Sequence, residues 1–225
     1  MKKTVRKKAS PGLISKAGRI EKILEKKYPE GECALKYEGE GWKLLVLGRL
    51  SAQCTDARVN IVAVDLFKKY PTCGSMADCD LSELESVIRP CGLFRTKARD
   101  IKNSCAILRE KYGGEVPREM DRLLELPGVG RKIANLLLGD LYGMPAIVAD
   151  THCIRISERL GLTKKGEKDP FSTEMTLKEL IKPETSSLFC HRLVDFGRDV
   201  CSARDPKCGV CELSGECDFF NDKPK

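Results

Sequence analysis

LPGVGRKIANLLLGDLYGMPAIVADT, residues 126–151, is the stretch on which the reading of this chain turns. Pro127, Gly128, Val129 and Gly130 separate two helical patterns, one closing on Leu123, Leu124 and Leu126, the other running on through Ala134 and Leu137. A turn this tight between helices calls for glycine, which enters left-handed backbone without steric cost. It also leaves the N–H groups of Gly128, Val129, Gly130 and Arg131 beside the start of the second helix, where the macrodipole favours an anion. Such a nest holds a phosphate without reading a base, so its contact positions rather than specifies. An ordinary interhelical turn uses the same residue types and stays the alternative on these residues alone.

Lys132 falls in the first turn of that second helix. Positions 132, 135 and 139 are Lys, Asn and Gly, whereas 133, 134, 136, 137, 138 and 141 are apolar. The helix is therefore expected to be buried nearly all round, with one narrow polar strip carrying Lys132. A lysine here is poorly placed against the macrodipole. Two roles explain it: a phosphate contact, or an amine nucleophile. Asp150 comes eighteen residues later and precedes Thr151-His152. It reads as the N-cap of the next helix, worth about 1 kcal/mol. A carboxylate at that point can also support a developing positive charge or a proton transfer, and the two roles are compatible.

Outward from this segment the apolar spacing is helical almost everywhere, which predicts an all-α chain. Helices are expected near 14–28, 42–50, 57–70, 81–88, 95–112, 120–126, 131–142, 151–160, 171–181 and 184–199. Alternation of the strand type is confined to the short run 146–149. At 225 residues the chain can form one domain or two small ones. Forty basic against thirty-three acidic side chains leave a charge of +7, which suits a polyanionic partner without demanding one. No apolar run approaches the roughly 20 residues of a membrane span, and no signal peptide is visible after the basic opening MKKTVRKKAS. The expectation is a protein that is not secreted, with that opening a solvated tail.

Twelve cysteines raise the question of a disulfide scaffold. The missing export signal argues against it, as do Cys54, Cys105 and Cys153, which sit within helical patterns as small core residues do. Cys201, Cys208, Cys211 and Cys217 are different: four thiols within seventeen residues of a loop-rich tail make a metal site. Tetrahedral zinc and an iron–sulfur cluster both accept four cysteines, so spacing leaves the metal open. Arg204 and Lys207 lie inside the first cysteine loop and are read as phosphate contacts, with plain surface charge as the alternative.

Taken together these motifs resemble the endonuclease III family of helix-hairpin-helix DNA glycosylases. LPGVGRK-x2-N, VADTH and the C-x6-C-x2-C-x5-C tail match the family's signatures, and LSAQCTD (50–56), GLFRTKA (92–98) and GEVP (114–117) look like its helical core. The resemblance implies a [4Fe–4S] cluster on Cys201, Cys208, Cys211 and Cys217. It implies two helical domains flanking a DNA-binding cleft: a six-helix barrel with the hairpin over 34–144, and a cluster domain formed by 1–33 plus 145–225. Lys132 falls on the Schiff-base lysine, Asp150 on the catalytic aspartate, and Gln53 on the residue that fills the gap left by a flipped nucleotide. Gly128, Val129, Gly130 and Arg131 would hold the backbone of double-stranded DNA carrying a damaged base or abasic site. The implied protein is a monomer, cytoplasmic and nucleoid-associated if prokaryotic, removing damaged, oxidised pyrimidines and cleaving 3′ to the abasic site. An adenine-type monofunctional glycosylase, a non-catalytic hairpin module and an electron carrier are the rivals. The first lacks the lysine, the second uses the hairpin but leaves a single amine on an apolar helix hard to explain, and the third leaves residues 126–151 without an explanation. Gly48, Arg49 and Asp195 depart from the family's apolar pattern.

Overall fold

The computed structural model describes residues 9–222; the basic stretch 1–8, read above as part of a solvated tail, lies outside them. Among the described residues every regular element is helical, and the run 146–149 forms no strand. The α-helices are α1 (Pro11–Lys27), α2 (Gly41–Leu50), α3 (Asp56–Lys69), α4 (Cys73–Ala77), α5 (Leu81–Ile88) and α6 (Phe94–Tyr112). They continue with α7 (Met120–Leu124), α8 (Arg131–Tyr142), α9 (Thr151–Arg159), α10 (Pro170–Leu180), α11 (Ser186–Asp199) and α12 (Asp218–Asn221). The chain forms two compact units, Cys33–Gly143 and Met1–Glu32 with Met144–Lys225.

In the Cys33–Gly143 unit, α2 is the axis of the core. Leu44, Leu45, Val46, Leu47 and Leu50 are all essentially inaccessible to solvent, so α3, α6 and α8 can each pack on a different side of it. Truncating one such leucine to alanine would cost about 2–5 kcal/mol. Gly48 has a packing reason: a Cβ there would stand 3.2 Å from Ile133 and 3.5 Å from Leu136, so the glycine lets α2 and α8 approach closely. The end of α2 is fastened by Lys97, whose side chain is fully buried. Its ammonium donates to Leu50 O and Cys91 O, both at 2.8 Å. Burial pulls the pKa of Lys97 down, yet the two carbonyls satisfy it.

The short α4 escaped the periodicity because five residues make barely one turn. A local device starts it: the Thr72 hydroxyl accepts from Ser75 N–H at 3.0 Å while the Ser75 hydroxyl accepts from Thr72 N–H at 3.0 Å. Thr55 and Asp80 cap α3 and α5 by the one-way bond alone, accepting from Arg58 N–H and Glu83 N–H.

In the other unit α1 packs on α10 and α11, and α9 packs on α11. Ser10 and Asp169 cap α1 and α10, each followed by proline at the first helical position. The buried Arg192 of α11 donates from Nε to Tyr28 O at 3.0 Å and from Nη2 to Pro29 O at 3.2 Å, closing off the end of α1. Gly197 lets α9 approach α11, since a Cβ there would lie 2.2 Å from the His152 ring nitrogen.

Candidate active site and cysteine centre

The hairpin joins α7 to α8. Leu126 N–H donates back to Leu123 O at 3.2 Å and Val129 N–H to Leu126 O at 3.0 Å. Gly128 adopts φ +75°, in the left-handed region that favours glycine. The Val129 side chain is buried and anchors the turn. The Ser104 hydroxyl of α6 donates to Pro127 O at 2.9 Å. Gly130 is the N-cap of α8 and places no side chain over the first-turn N–H groups. A helix start without a side-chain cap is the kind of place where an anion is favoured.

Lys132 is exposed on the first turn of α8, while Ile133 through Gly139 are all buried. The polar strip read from sequence therefore reaches solvent at Lys132 and stops short of Asn135, which is 1% exposed. α2 and α7 cover the helix from there on.

Gln53 is exposed in the turn between α2 and α3. Its φ of +54° is one of three positive values at non-glycine residues among those described. Strain of that kind persists only where surrounding structure holds it, and such residues cluster at working sites.

Asp150 belongs to the other unit. It caps α9: Oδ1 accepts from Cys153 N–H at 2.7 Å. α9 also carries two arginines one turn apart that grip the cysteine loop. Arg155 Nη2 donates to Cys201 O at 3.0 Å. Arg159 Nη1 donates to Ser202 O at 2.7 Å and to Cys201 Sγ at 3.2 Å, and its Nη2 to Ala203 O at 2.9 Å. Neither arginine was singled out from the sequence, although an i, i+4 basic pair on the helix after VADT was the available signal.

Cys201, Cys208, Cys211 and Cys217 line one cavity, closed by Arg159, Leu160, Phe196, Pro206 and Phe219. None is in a disulfide. Burial raises the thiol pKa values of Cys211 and Cys217, and the neighbouring thiols raise them further. Thiolates at these positions therefore call for positive charge close by, which Arg159 supplies in part and a metal centre would complete. Four cysteine thiols converging on one cavity are a donor set that tetrahedral zinc and an iron–sulfur cluster both accept. Arg204 and Lys207 are both exposed, and Lys207 Nζ lies 3.9 Å from Asp199.

Six of the other eight cysteines meet in thiol pairs: Cys54 with Cys91, Cys73 with Cys105 and Cys153 with Cys190 are within hydrogen-bonding reach, while Cys33 and Cys79 stand outside these pairs. Cys54 differs from the expectation of a helical position, because it sits in the turn after Gln53.

A hairpin of this form with a lysine beside it defines a class. Over residues 49–183 the chain matches the family described as HhH-GPD superfamily base excision DNA repair protein. Endonuclease III of Synechocystis sp. is 43% identical over 96% of this chain and 97% of that protein. Endonuclease III of Bacillus subtilis is 42% identical over 84% of this chain and 86% of its own length. Among solved structures, a non-covalent endonuclease III–DNA complex and a trapped endonuclease III–DNA covalent intermediate each superpose with a TM-score of 0.87 at 41% identity, over 92% of this chain. They cover 96% and 97% of those chains. A thermostable thymine-DNA glycosylase shares the fold, with a TM-score of 0.82 at 21% identity. Within the base excision repair superfamily, the chain belongs to the endonuclease III family.

Proposed function

We propose that this chain excises oxidised pyrimidines from double-stranded DNA and then cuts the strand 3′ to the abasic site, with Lys132 as the covalent nucleophile. One observation carries this most directly. Lys132 is an exposed amine followed by seven buried residues, in the first turn of a helix whose N-cap, Gly130, has no side chain, in a chain 41% identical to a protein trapped covalently on DNA.

On this reading Gly128, Val129, Gly130 and Arg131 hold a DNA phosphate, and Arg204 and Lys207 add salt-sensitive contacts. Gln53 enters the gap left when the damaged nucleotide leaves the stack. The Lys132 amine attacks C1′ of the sugar, and the base departs with the bonding electrons and takes up a proton. Asp150 supports the positive charge that develops on the sugar and moves protons as the lysine adduct opens to a Schiff base. Loss of the acidified C2′ proton then expels the 3′ phosphate by β-elimination.

Cys201, Cys208, Cys211 and Cys217 would hold a [4Fe–4S] cluster, which supplies a rigid covalent tie across the loop bearing Arg204 and Lys207. The unit containing the hairpin is then the helical barrel domain (34–144), and the other (1–33 plus 145–225) the cluster domain. The protein works as a monomer. Among the described residues no helix is long and apolar enough to cross a membrane.

Borohydride trapping on a duplex with a natural abasic site tests the central step. The parent protein gives a reduced covalent adduct and nicked DNA; Lys132→Ala gives neither, with cleavage down by more than ~10³-fold. An adduct of undiminished yield in Lys132→Ala would remove Lys132 from this role.

A further inference from the structure

Beneath the hairpin lies an ion pair that neither the resemblance nor the repair chemistry accounts for. Arg49, from the last turn of α2, places Nη2 2.7 Å and Nε 2.8 Å from Asp100 Oδ2 on α6. Both side chains are largely withdrawn from solvent, at 13% and 21% exposure. The pair occupies the space under Gly128. A Cβ on Gly128 would stand 2.4 Å from Arg49 Nε, 2.7 Å from Arg49 Cδ and 2.7 Å from Asp100 Oδ2. Asp100 and Ser104 are one turn apart on the same face of α6, and Ser104 holds Pro127 O directly. One face of α6 thus supports both halves of the turn.

We infer that Arg49 and Asp100 form a strut that fixes the hairpin in its phosphate-holding shape, making Arg49 a positioning residue for DNA and not itself a DNA contact. This rests on the reading of Gly128 and Gly130 as a phosphate nest. Several features favour it over a general stabilising role. The guanidinium packs against the one residue of the turn with positive φ, so it supports the turn where the backbone reverses. Its low exposure and double hydrogen bond to Asp100 leave it turned inward. Neutralising Arg49 alone leaves a carboxylate unpaired under a site meant for an anion, which both loosens the turn and repels the phosphate. The closeness of Arg49 also explains why residue 128 must lack a side chain, beyond its backbone angle.

The test is equilibrium binding to a duplex carrying a non-cleavable abasic analogue, measured against salt, together with the single-turnover trapping rate at saturating natural abasic DNA. For Arg49→Met we expect Kd to rise about tenfold. The slope of log K against log [salt] should stay close to the parent's, because no lysine or arginine is withdrawn from a phosphate. The trapping rate at saturation should stay within about twofold, because the amine is untouched. Arg49→Lys keeps the charge but loses the fork, and should fall between parent and Met. If Arg49→Met proves too unstable to purify, Arg49→Met/Asp100→Leu removes both charges and is expected to show the same rise in Kd at an unchanged slope. Parental Kd in either folded variant overturns the strut, and so does a slope shallower by ~0.9, which would make Arg49 itself a phosphate contact. Gly128→Ala is the control for the underlying reading. If it binds with parental affinity and slope, the nest itself fails and the strut with it. If it weakens binding while the Arg49 variants do not, only the strut fails.

Discussion

The starts of α8 and α9 share nearly the same backbone and are finished in opposite ways. Gly130, capping α8, has φ −93° and ψ 176°; Asp150, capping α9, has φ −87° and ψ −177°. Either position would accept a capping side chain, since a Cβ on Gly130 meets nothing within 4 Å. The glycine at 130 is thus not there for conformational freedom, unlike Gly128. It leaves α8 without a side-chain cap, and on the reading proposed above an external phosphate takes that place. α9 supplies its own anion, and the carboxylate that closes the helix is the one assigned to the reaction. The observed contrast is between a helix start without a capping side chain and one capped by a carboxylate.

The sharpest way to separate the two jobs of Asp150 is to keep one. Asp150→Asn retains a good cap, because asparagine accepts from the same N–H. Thermal stability should stay within about a degree of the parent while glycosylase turnover falls roughly 10²–10⁴-fold, the range for losing a proton-handling or charge-stabilising carboxylate. Asp150→Ala should lose the same activity and about 1 kcal/mol of stability besides. Near-parental turnover in Asp150→Asn, measured on a duplex with one oxidised pyrimidine, would reduce the residue to a cap.

The converse experiment closes the open helix. Gly130→Asp gives α8 the finish of α9, and on the observed backbone should stabilise the protein by a few tenths of a kcal/mol. Its carboxylate would occupy the phosphate position. Affinity for abasic-analogue duplex should drop about tenfold or more, and the salt slope should become shallower by ~0.9. A more stable protein that binds DNA less well is an outcome that a turn of purely structural importance would not produce. Unchanged binding would show that the α8 start holds no phosphate.

How much of this was legible in the sequence follows from the range of the interactions. The helices, the cap at Asp150 and the turn at Gly128 are local: they depend on residues three or four apart, and the pattern displays them. The exposure of Lys132 on a buried helix was also readable from the apolar register of residues 133–141. The polar strip beyond it was not, because Asn135 is covered by neighbouring helices that the pattern on α8 cannot locate. Arg49 looked like an anomaly within an apolar run, since its partner Asp100 lies fifty-one residues away and its significance depends on a third segment, at Gly128. Gly48 looked equally out of place until Ile133 and Leu136 of α8 accounted for it. The short α4 and α12 were missed for want of length, too brief to show a period.

The two regions also differ in how they are fastened, and the weaker fastening gives the smallest expected effect. The hairpin rests on the half-buried Arg49–Asp100 pair. The cysteine loop is tied to α1 by Arg19 and Glu216, with Nε–Oε1 at 2.6 Å and Nη2–Oε2 at 3.0 Å, and Arg19 about half exposed. Hydrogen bonding from Arg19 holds the Glu216 carboxyl below its ordinary value. A depressed carboxyl pKa stabilises the folded state fully above the unfolded value of about 4.5, and the contribution disappears as pH falls through the folded value. Between pH 7 and 5 the pair should therefore be silent. On acidification from pH 5 towards 3 the parent should lose slightly more thermal stability than Glu216→Gln, by less than ~3 °C given the modest worth of exposed pairs. Melting curves of both proteins across that window measure it. A difference that is constant with pH would mean that Glu216 contributes through packing alone; a larger one would place the cysteine loop under the same kind of electrostatic control as the hairpin.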